Sequence, residues 1–303
     1  MGNEGVPRSG TALGGDPVSP TAAPVVSVVV PVRNGLPWLE AQLAALAGQA
    51  CDTPWEVVVA DNGSTDGTPA AVSAWAERDR RFRWIDASAV PGAPAARNAG
   101  ARVARGSLLA FCDADDTVGP EWLAACTRAL GTADVVAGVF DFWSLNGLPS
   151  APPVPASMRQ LPFLPAGLGA NLAVRRSAFD TVDGFAEDLA TGEDIDLCWR
   201  LQLAGFRFTL DEGAVVAKRD RTGFGEVFRQ GYAFGRGGAV LYRRHRPMGA
   251  RRNVSGAARS WLWILVHTPA ALRPGAVRSQ WARATGMRWG RLVGSVTELV
   301  FFP

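Results

Sequence analysis

Two apolar runs in this chain end in carboxylates, and their spacing constrains the fold more than any other feature. One is Trp55-Glu56-Val57-Val58-Val59-Ala60-Asp61; the other is Leu109-Ala110-Phe111-Cys112-Asp113-Ala114-Asp115-Asp116. They belong to a regular alternation. Val25 to Val32 is β-branched, and Pro37-Trp38-Leu39 then opens a helix carrying Leu39, Leu43 and Leu46 at helical spacing. After the strand ending at Asp61, the pattern predicts a helix from Pro69 to Arg78 and a short strand from Phe82 to Ile85. A helix over Ala93 to Ala104 leads into the strand ending at Asp113. This βαβαβα order predicts an α/β fold with a mostly parallel sheet flanked by helices. Ligands of such sheets sit outside the carboxyl ends of the strands, so Asp61 and Asp113 are expected to face one crevice.

Three carboxylates within four residues are costly unless a cation joins them. Hard divalent ions such as Mg²⁺ or Mn²⁺ take oxygen ligands, often one or two carboxylates completed by water and phosphate oxygens. The alternative is a polar turn that caps the helix opened by Pro120.

Four segments occur together in order: Val28-Val29-Val30-Pro31-Val32-Arg33-Asn34, Asp61-Asn62-Gly63-Ser64-Thr65-Asp66, Ala96-Arg97-Asn98-Ala99-Gly100 and Asp113-Ala114-Asp115-Asp116. In sequence and spacing they resemble family 2 glycosyltransferases. The resemblance runs from about Val25 to about Arg244. It implies a GT-A type fold, with a nucleotide-sugar binding half over 25–118 and an acceptor half over 119–244. It further implies that Pro31, Val32, Arg33, Asn34 and Asp61 contact the nucleoside, and that Asp113 and Ala114 lie near the ribose or donor sugar. Asp115 would hold the metal, and Arg97 would approach the pyrophosphate or the donor.

A Pro-rich stretch from about Pro149 to Pro165 reads as a mobile loop or edge crossing. Beyond it, Gly167-Leu168-Gly169-Ala170-Asn171 resembles the family's Gly-rich turn. Glu193 and Asp194 then open a helix. Acids at a helix start are favoured by the helix dipole alone. By resemblance, Asp194 matches the family's general base, with Glu193 orienting it or binding a sugar hydroxyl. One departure stands out: family members often place a metal-ligating His on the strand that here reads Val215-Val216-Ala217-Lys218. Lys218 is the only lysine in the chain. Either the metal is held by Asp115, phosphate and water alone, or Lys218 supplies positive charge to the diphosphate directly.

With 303 residues and 48% hydrophobic content, the chain has enough material for one large α/β domain and an appendage. Cys51, Cys112, Cys126 and Cys198 lack metal or redox spacing and read as reduced core residues of a cytoplasmic protein. Residues 1–24 are rich in Gly, Pro, Ser and Thr and read as a disordered tail without a signal sequence. A net charge of +3 is too small to imply nucleic acid. Residues 245–303 form a basic extension. Its Trp261 to Val266 run is broken by Pro269, and Val277, Trp281, Ala284, Arg288, Leu292 and Val296 recur at helical spacing. Residues 259–303 could lie peripherally on the cytoplasmic face of a membrane, pack on their own domain or meet a partner. The expected activity is inverting transfer from a nucleotide-diphospho-sugar to a hydroxyl acceptor, glycan or lipid-linked. A catalytically impaired nucleotide-sugar-binding subunit and a nucleotidyltransferase are the alternatives. The first strand lacks the Gly-rich phosphate loop of the latter.

Overall fold

A computed structural model describes residues 23–303 except 37, 156–161 and 274. The expected tail therefore lies outside the described residues apart from its last two positions, as do Pro37 and the middle of the Pro149–Pro165 stretch. In the first half, β1 (Val26–Val32), β2 (Trp55–Asp61), β3 (Phe82–Asp86) and β4 (Leu108–Cys112) alternate with α1 (Leu39–Ala47), α2 (Thr68–Arg78) and α3 (Ala93–Val103). All four strands pair in parallel, in the order β3-β2-β1-β4. The second half supplies β5 (Thr117–Val118), α4 (Trp122–Leu130), β6 (Val135–Asp141), β7 (Val154–Pro155), β8 (Asn171–Arg175), α5 (Arg176–Thr181), α6 (Glu193–Leu203) and β9 (Phe208–Ala217). These strands extend the sheet from β4 through β8, β6 and β9 to β5, and the β4–β8 and β8–β6 pairs are antiparallel. The helical pattern and strand boundaries expected for the first half match to within two residues.

Side-chain alternation along the strands builds two cores. Val28, Val30, Val57 and Val59 face α1, α2 and α4 through Leu39, Leu43, Val72 and Trp122. Val29, Leu109 and Phe111 point the other way, among Phe179, Phe185 and Trp199. Three of the four cysteines are buried in these cores, and all four are free thiols.

A crevice opens where the order of the strands reverses, between β1 and β4. Val32 accepts from Asn62 on β2's side (2.8 Å), so its neighbour Pro31 faces β4. Proline has no N–H to offer there. The β1–β4 ladder accordingly runs no further than Val29 and Phe111, and Asp113 emerges just beyond it.

Three helices close the chain: α7 (Phe224–His245), which ends the 119–244 half, and α8 (Val254–Ala271) and α9 (Ala276–Thr297) in the extension. Helix α9 lies along α7 with glycines in the seam. A β-carbon at Gly231 or Gly235 would collide with the carbonyls of Arg283 or Met287, and one at Gly286 or Gly290 with those of Phe228 or Tyr232. Small residues are what let two backbones approach this closely. Pro269 does not break α8, contrary to the sequence expectation. The carbonyl it leaves unbonded, four residues back at Leu265, lies on a residue that is 69% exposed, where water can satisfy it.

Candidate functional site

The turn after β4 is held rigidly. Gln42 of α1 is buried, donates to the Asp113 carbonyl (2.9 Å) and accepts from Val118 N–H (3.0 Å). The carboxylate oxygens of Asp113, Asp115 and Asp116 come within 4.8 Å of one another. Asp115 is exposed, Asp113 half-buried and Asp116 buried. Lys218, just past β9, donates to Asp113 Oδ2 (3.1 Å) and Asp116 Oδ2 (2.7 Å). The backbone N–H of Arg219 donates to Asp116 Oδ1 (3.0 Å), and its guanidinium stacks 3.8 Å over Trp38. Lys218 thus grips two of the three acids and leaves Asp115 facing solvent. The donor set is all hard oxygen, which suits Mg²⁺ or Mn²⁺, with Asp115 the available ligand and further positions for phosphate and water.

Arg97 of α3 joins this turn to α6. It is 5% exposed and donates to Asp113 Oδ1 (2.8 Å) and Glu193 Oε1 (2.7 Å). Both ends of its guanidinium are engaged, so the contacts describe a brace between two walls of a cleft. Gly169 packs against it, where a β-carbon would meet the guanidinium. The Gly169 N–H donates to Asp194 Oδ2 (2.9 Å) and Ile195 N–H to Asp194 Oδ1 (2.8 Å). Arg97, Lys218, Asp113 and Glu193 are thus joined in one cluster, with Asp115 beside Asp113 and Asp194 next to Glu193.

Burial pushes the carboxyls of Asp113, Asp116, Glu193 and Asp194 up and the cations oppose it, prevailing at Asp113 alone among these four. Against the push of burial, Lys218 and Arg97 hold the Asp113 carboxyl down at about 2. Burial pushes Asp116 up, as do Asp113 and Asp115, against the pull of Lys218. Glu193 is raised to about 7 by burial and by Asp194. Asp194 is raised by burial, against the Gly169 hydrogen bond and Arg97.

The other expected residues lie along the ends of β1 and β2. Asp61 is buried and accepts from Ser64 N–H through Oδ1 (2.9 Å), which shapes the turn after β2. Asn34, at φ 53°, accepts from Thr65 N–H (2.8 Å), and its own N–H donates to Ser64 Oγ (2.8 Å). It pins the two strand ends together. Val32 and Ala114 are buried, whereas Arg33 is exposed.

Sequence reasoning passed over Gln42 and Asp196, and placed Gly169 in a Gly-rich turn without a contact to Arg97 or Asp194. Gln42 lies on the Leu39–Leu43–Leu46 stripe, and a polar residue on an apolar face was the available signal. Asp196 is fully buried on α6 and receives Arg200 (2.6 Å), His245 (2.8 Å) and Arg244 (3.3 Å). Burial pushes its carboxyl up, but His245, Arg200 and Arg244 hold it below the usual value. This cluster fastens α6 to the end of α7. A cleft of about 620 Å³ opens beside the segment leading into α6, lined by Asp188, Thr191, Tyr232, Arg236, Arg243 and Arg244 among others.

Comparisons with known proteins agree with this architecture. Residues 27–179 match the family described as "Glycosyl transferase family 2", and residues 109–284 match "Glycosyl transferase family group 2". The pre-mycofactocin glycosyltransferase of Mycobacterium tuberculosis is 31% identical over 256 residues, covering 80% of this chain and 52% of its own length. The chain thus spans about half the length of that relative. Glycosyltransferase AglE of Haloferax volcanii is 29% identical over 251 residues, covering 80% of this chain and 81% of its own. Among solved structures, mannosyltransferase PcManGT from Pyrobaculum calidifontis in complex with GDP-Man and Mn2+ aligns with a TM-score of 0.61 at 22% identity. That alignment covers 92% of this chain and 88% of the other.

Proposed function

Because the chain belongs to glycosyl transferase family 2, we propose that it moves a sugar from a nucleotide-diphospho-sugar to a hydroxyl acceptor with inversion at the anomeric carbon. Asp194 is the general base and Asp115 the residue that holds a Mg²⁺ or Mn²⁺ ion. The observation that carries this reading is the Arg97 brace: Arg97 holds Asp113, after β4, and reaches Glu193, the neighbour of Asp194, 96 residues further along the chain than itself. Fold neighbours support the class of donor, since PcManGT is complexed with GDP-Man and Mn2+ and Staphylococcus aureus TarS with UDP-GlcNAc.

The acceptor oxygen attacks the anomeric carbon from the side opposite the departing nucleoside diphosphate. As the new C–O bond forms and the bond to phosphate breaks, Asp194 takes the hydroxyl proton. Its two accepted backbone hydrogen bonds fix the carboxylate's aim. Pro31 to Asn34 and Asp61 border the nucleoside, and Asp113 and Ala114 the ribose or sugar. Arg97 keeps Asp113 and Glu193 in register, and Lys218 places a permanent positive charge beside the diphosphate. A bound divalent ion would add electrophilic stabilisation of the leaving phosphate. The acceptor is a glycan or a lipid-linked hydroxyl, reached from the side of the Thr191 cleft. Residues 259–303 make the enzyme peripheral at the cytoplasmic face of a membrane. The relationship to succinoglycan biosynthesis protein ExoA, 27% identical over 247 residues, supports a role in building envelope glycans.

The test is release of nucleoside diphosphate from UDP- and GDP-sugars without acceptor. Slow release that falls in Asp115→Ala to about the level left after chelation is expected. Tight donor binding with no release in any condition would instead identify a non-catalytic binding subunit, and release of pyrophosphate a nucleotidyltransferase.

Lys218 makes a separate prediction. Chelation is expected to weaken turnover without abolishing it, because one cation is built in. Lys218→Ala is expected to lower kcat by about 10²-fold, the scale of losing one charge-stabilising donor. Complete loss on chelation together with an unaltered Lys218→Ala variant would refute the assignment.

A further inference from the structure

Helix α8 presents a second apolar face that no described element covers. Ala257, Ile264 and Ala271 form its buried side. On the opposite side Val254, Leu262, Leu265, Val266 and Leu272 are between 50% and 80% exposed. Helical spacing puts these five in one stripe, about 27 Å long for an 18-residue helix. Apolar surface of this extent on a soluble protein marks a contact site.

Charge identifies the occupant. Residues 227–297 contain thirteen arginines and no Asp or Glu. Arg251, Arg252, Arg259 and Arg273 are exposed beside or at the ends of the stripe. Arg252 also stacks 5.1 Å over Phe301, next to Leu299, which is 92% exposed. The apolar surface therefore continues from the start of α8 onto residues 299–301. A second copy of this chain fits poorly, because a two-fold contact would set arginines against arginines, and Glu298, the acid beside residues 299–301, is already paired with Arg243 (2.8 Å). No helix among the described residues is long and apolar enough to cross a membrane.

We propose that α8 lies flat in the headgroup layer of a bilayer rich in anionic lipid, with Leu262, Leu265 and Val266 below the phosphates and the arginines among them. It rests on the peripheral-membrane reading above and assigns the contact to α8. Helix α9, whose amphipathic pattern suggested the contact from sequence, is seated on α7 with Arg288 and Arg291 buried, and of that pattern only Leu292 and Val296 stay exposed. An exposed apolar stripe edged by arginine is the pattern of interfacial helices.

Co-sedimentation of the full chain with vesicles tests this. Binding is expected to vesicles of about 30% phosphatidylglycerol in phosphatidylcholine, to be far weaker to phosphatidylcholine alone, and to fall as salt rises. The triple variant Leu262→Gln/Leu265→Gln/Val266→Gln is expected to lower the partition coefficient by at least about tenfold, with melting temperature and donor hydrolysis unchanged. Arg259→Gln/Arg273→Gln, which disturbs no buried packing, is expected to lower it several-fold on anionic vesicles and provides the readout should the triple variant misfold. Equal binding to both vesicle types, or wild-type binding by either variant, overturns the proposal. So does a dimer in sedimentation velocity that the triple variant dissolves. Absent donor hydrolysis with vesicle binding intact would sink the glycosyltransferase reading and leave the docking face standing.

Discussion

Replacing Asp194 with asparagine is expected to lower the rate of sugar transfer by about 10²- to 10⁴-fold, the usual contribution of a positioned general base. The amide preserves size and accepts from Gly169 N–H through one oxygen, but it cannot take a proton. Nucleotide affinity should stay within about twofold of wild type, because the residues proposed to contact the nucleoside lie at the ends of β1 and β2. The pH profile provides a sharper check. Burial raises the Asp194 carboxyl above the ordinary aspartate value, with Arg97 drawing it down and Asp113 pushing it up. A base works only when ionised, so kcat is expected to fall on acidification through that raised value, earlier than a free aspartate would dictate. This acidic limb should vanish in Asp194→Asn. A variant retaining both the limb and near-normal kcat would move the base elsewhere, with Glu193 the first candidate.

Arg97→Met is expected to cost stability as well as activity. The guanidinium is buried between Asp113 and Glu193, and removing one partner of a buried ionic cluster typically costs about 3–5 kcal/mol. For a domain of this size each kcal/mol moves the melting temperature by about 2–4 °C, so a drop on the order of 10 °C is expected. The methionine fills much of the space but leaves two acids unbraced and Gly169 without its packing partner. Turnover should fall more than the melting temperature alone explains when assayed well below unfolding. Arg97→Lys keeps the charge but cannot fork to both carboxylates, and should fall between. A methionine variant that melts within about 2 °C of wild type would show that the brace is unimportant.

The sequence was informative where chemistry is local. Val26–Val32, Trp55–Asp61 and Leu108–Cys112 are apolar runs bounded by polar turns, and they form the strands they suggest. Four motifs in order were enough to identify the family. Contacts between distant stretches were harder to see. Arg97 on a helix could equally have been a surface residue, and nothing in its neighbourhood along the chain reveals Glu193 as its partner. Lys218 stood out as the lone lysine, yet its grip on both Asp113 and Asp116 depends on the pairing of β9 with β5. The extension was ambiguous for a physical reason. Both α8 and α9 carry apolar residues at helical spacing, and periodicity does not say which face meets another helix. The glycines decided it: Gly286, Gly290 and Gly294 form a row along α9 that admits the backbone of α7.

That row has mechanical implications. Two helices meeting backbone to backbone have no layer of side chains that could slide or repack, so α7 and α9 move as a single beam. Toward the other end of the beam, Gly237 seats Thr191 and Leu241 abuts Gly192, the two residues just ahead of Glu193 and Asp194. Whatever α8 rests on therefore sets the height and tilt at which the mouth of the cleft is presented. An acceptor tethered to the same surface would arrive at one fixed distance from the proton-taking carboxylate, and acceptor length, more than sugar identity, would then decide which molecules are glycosylated.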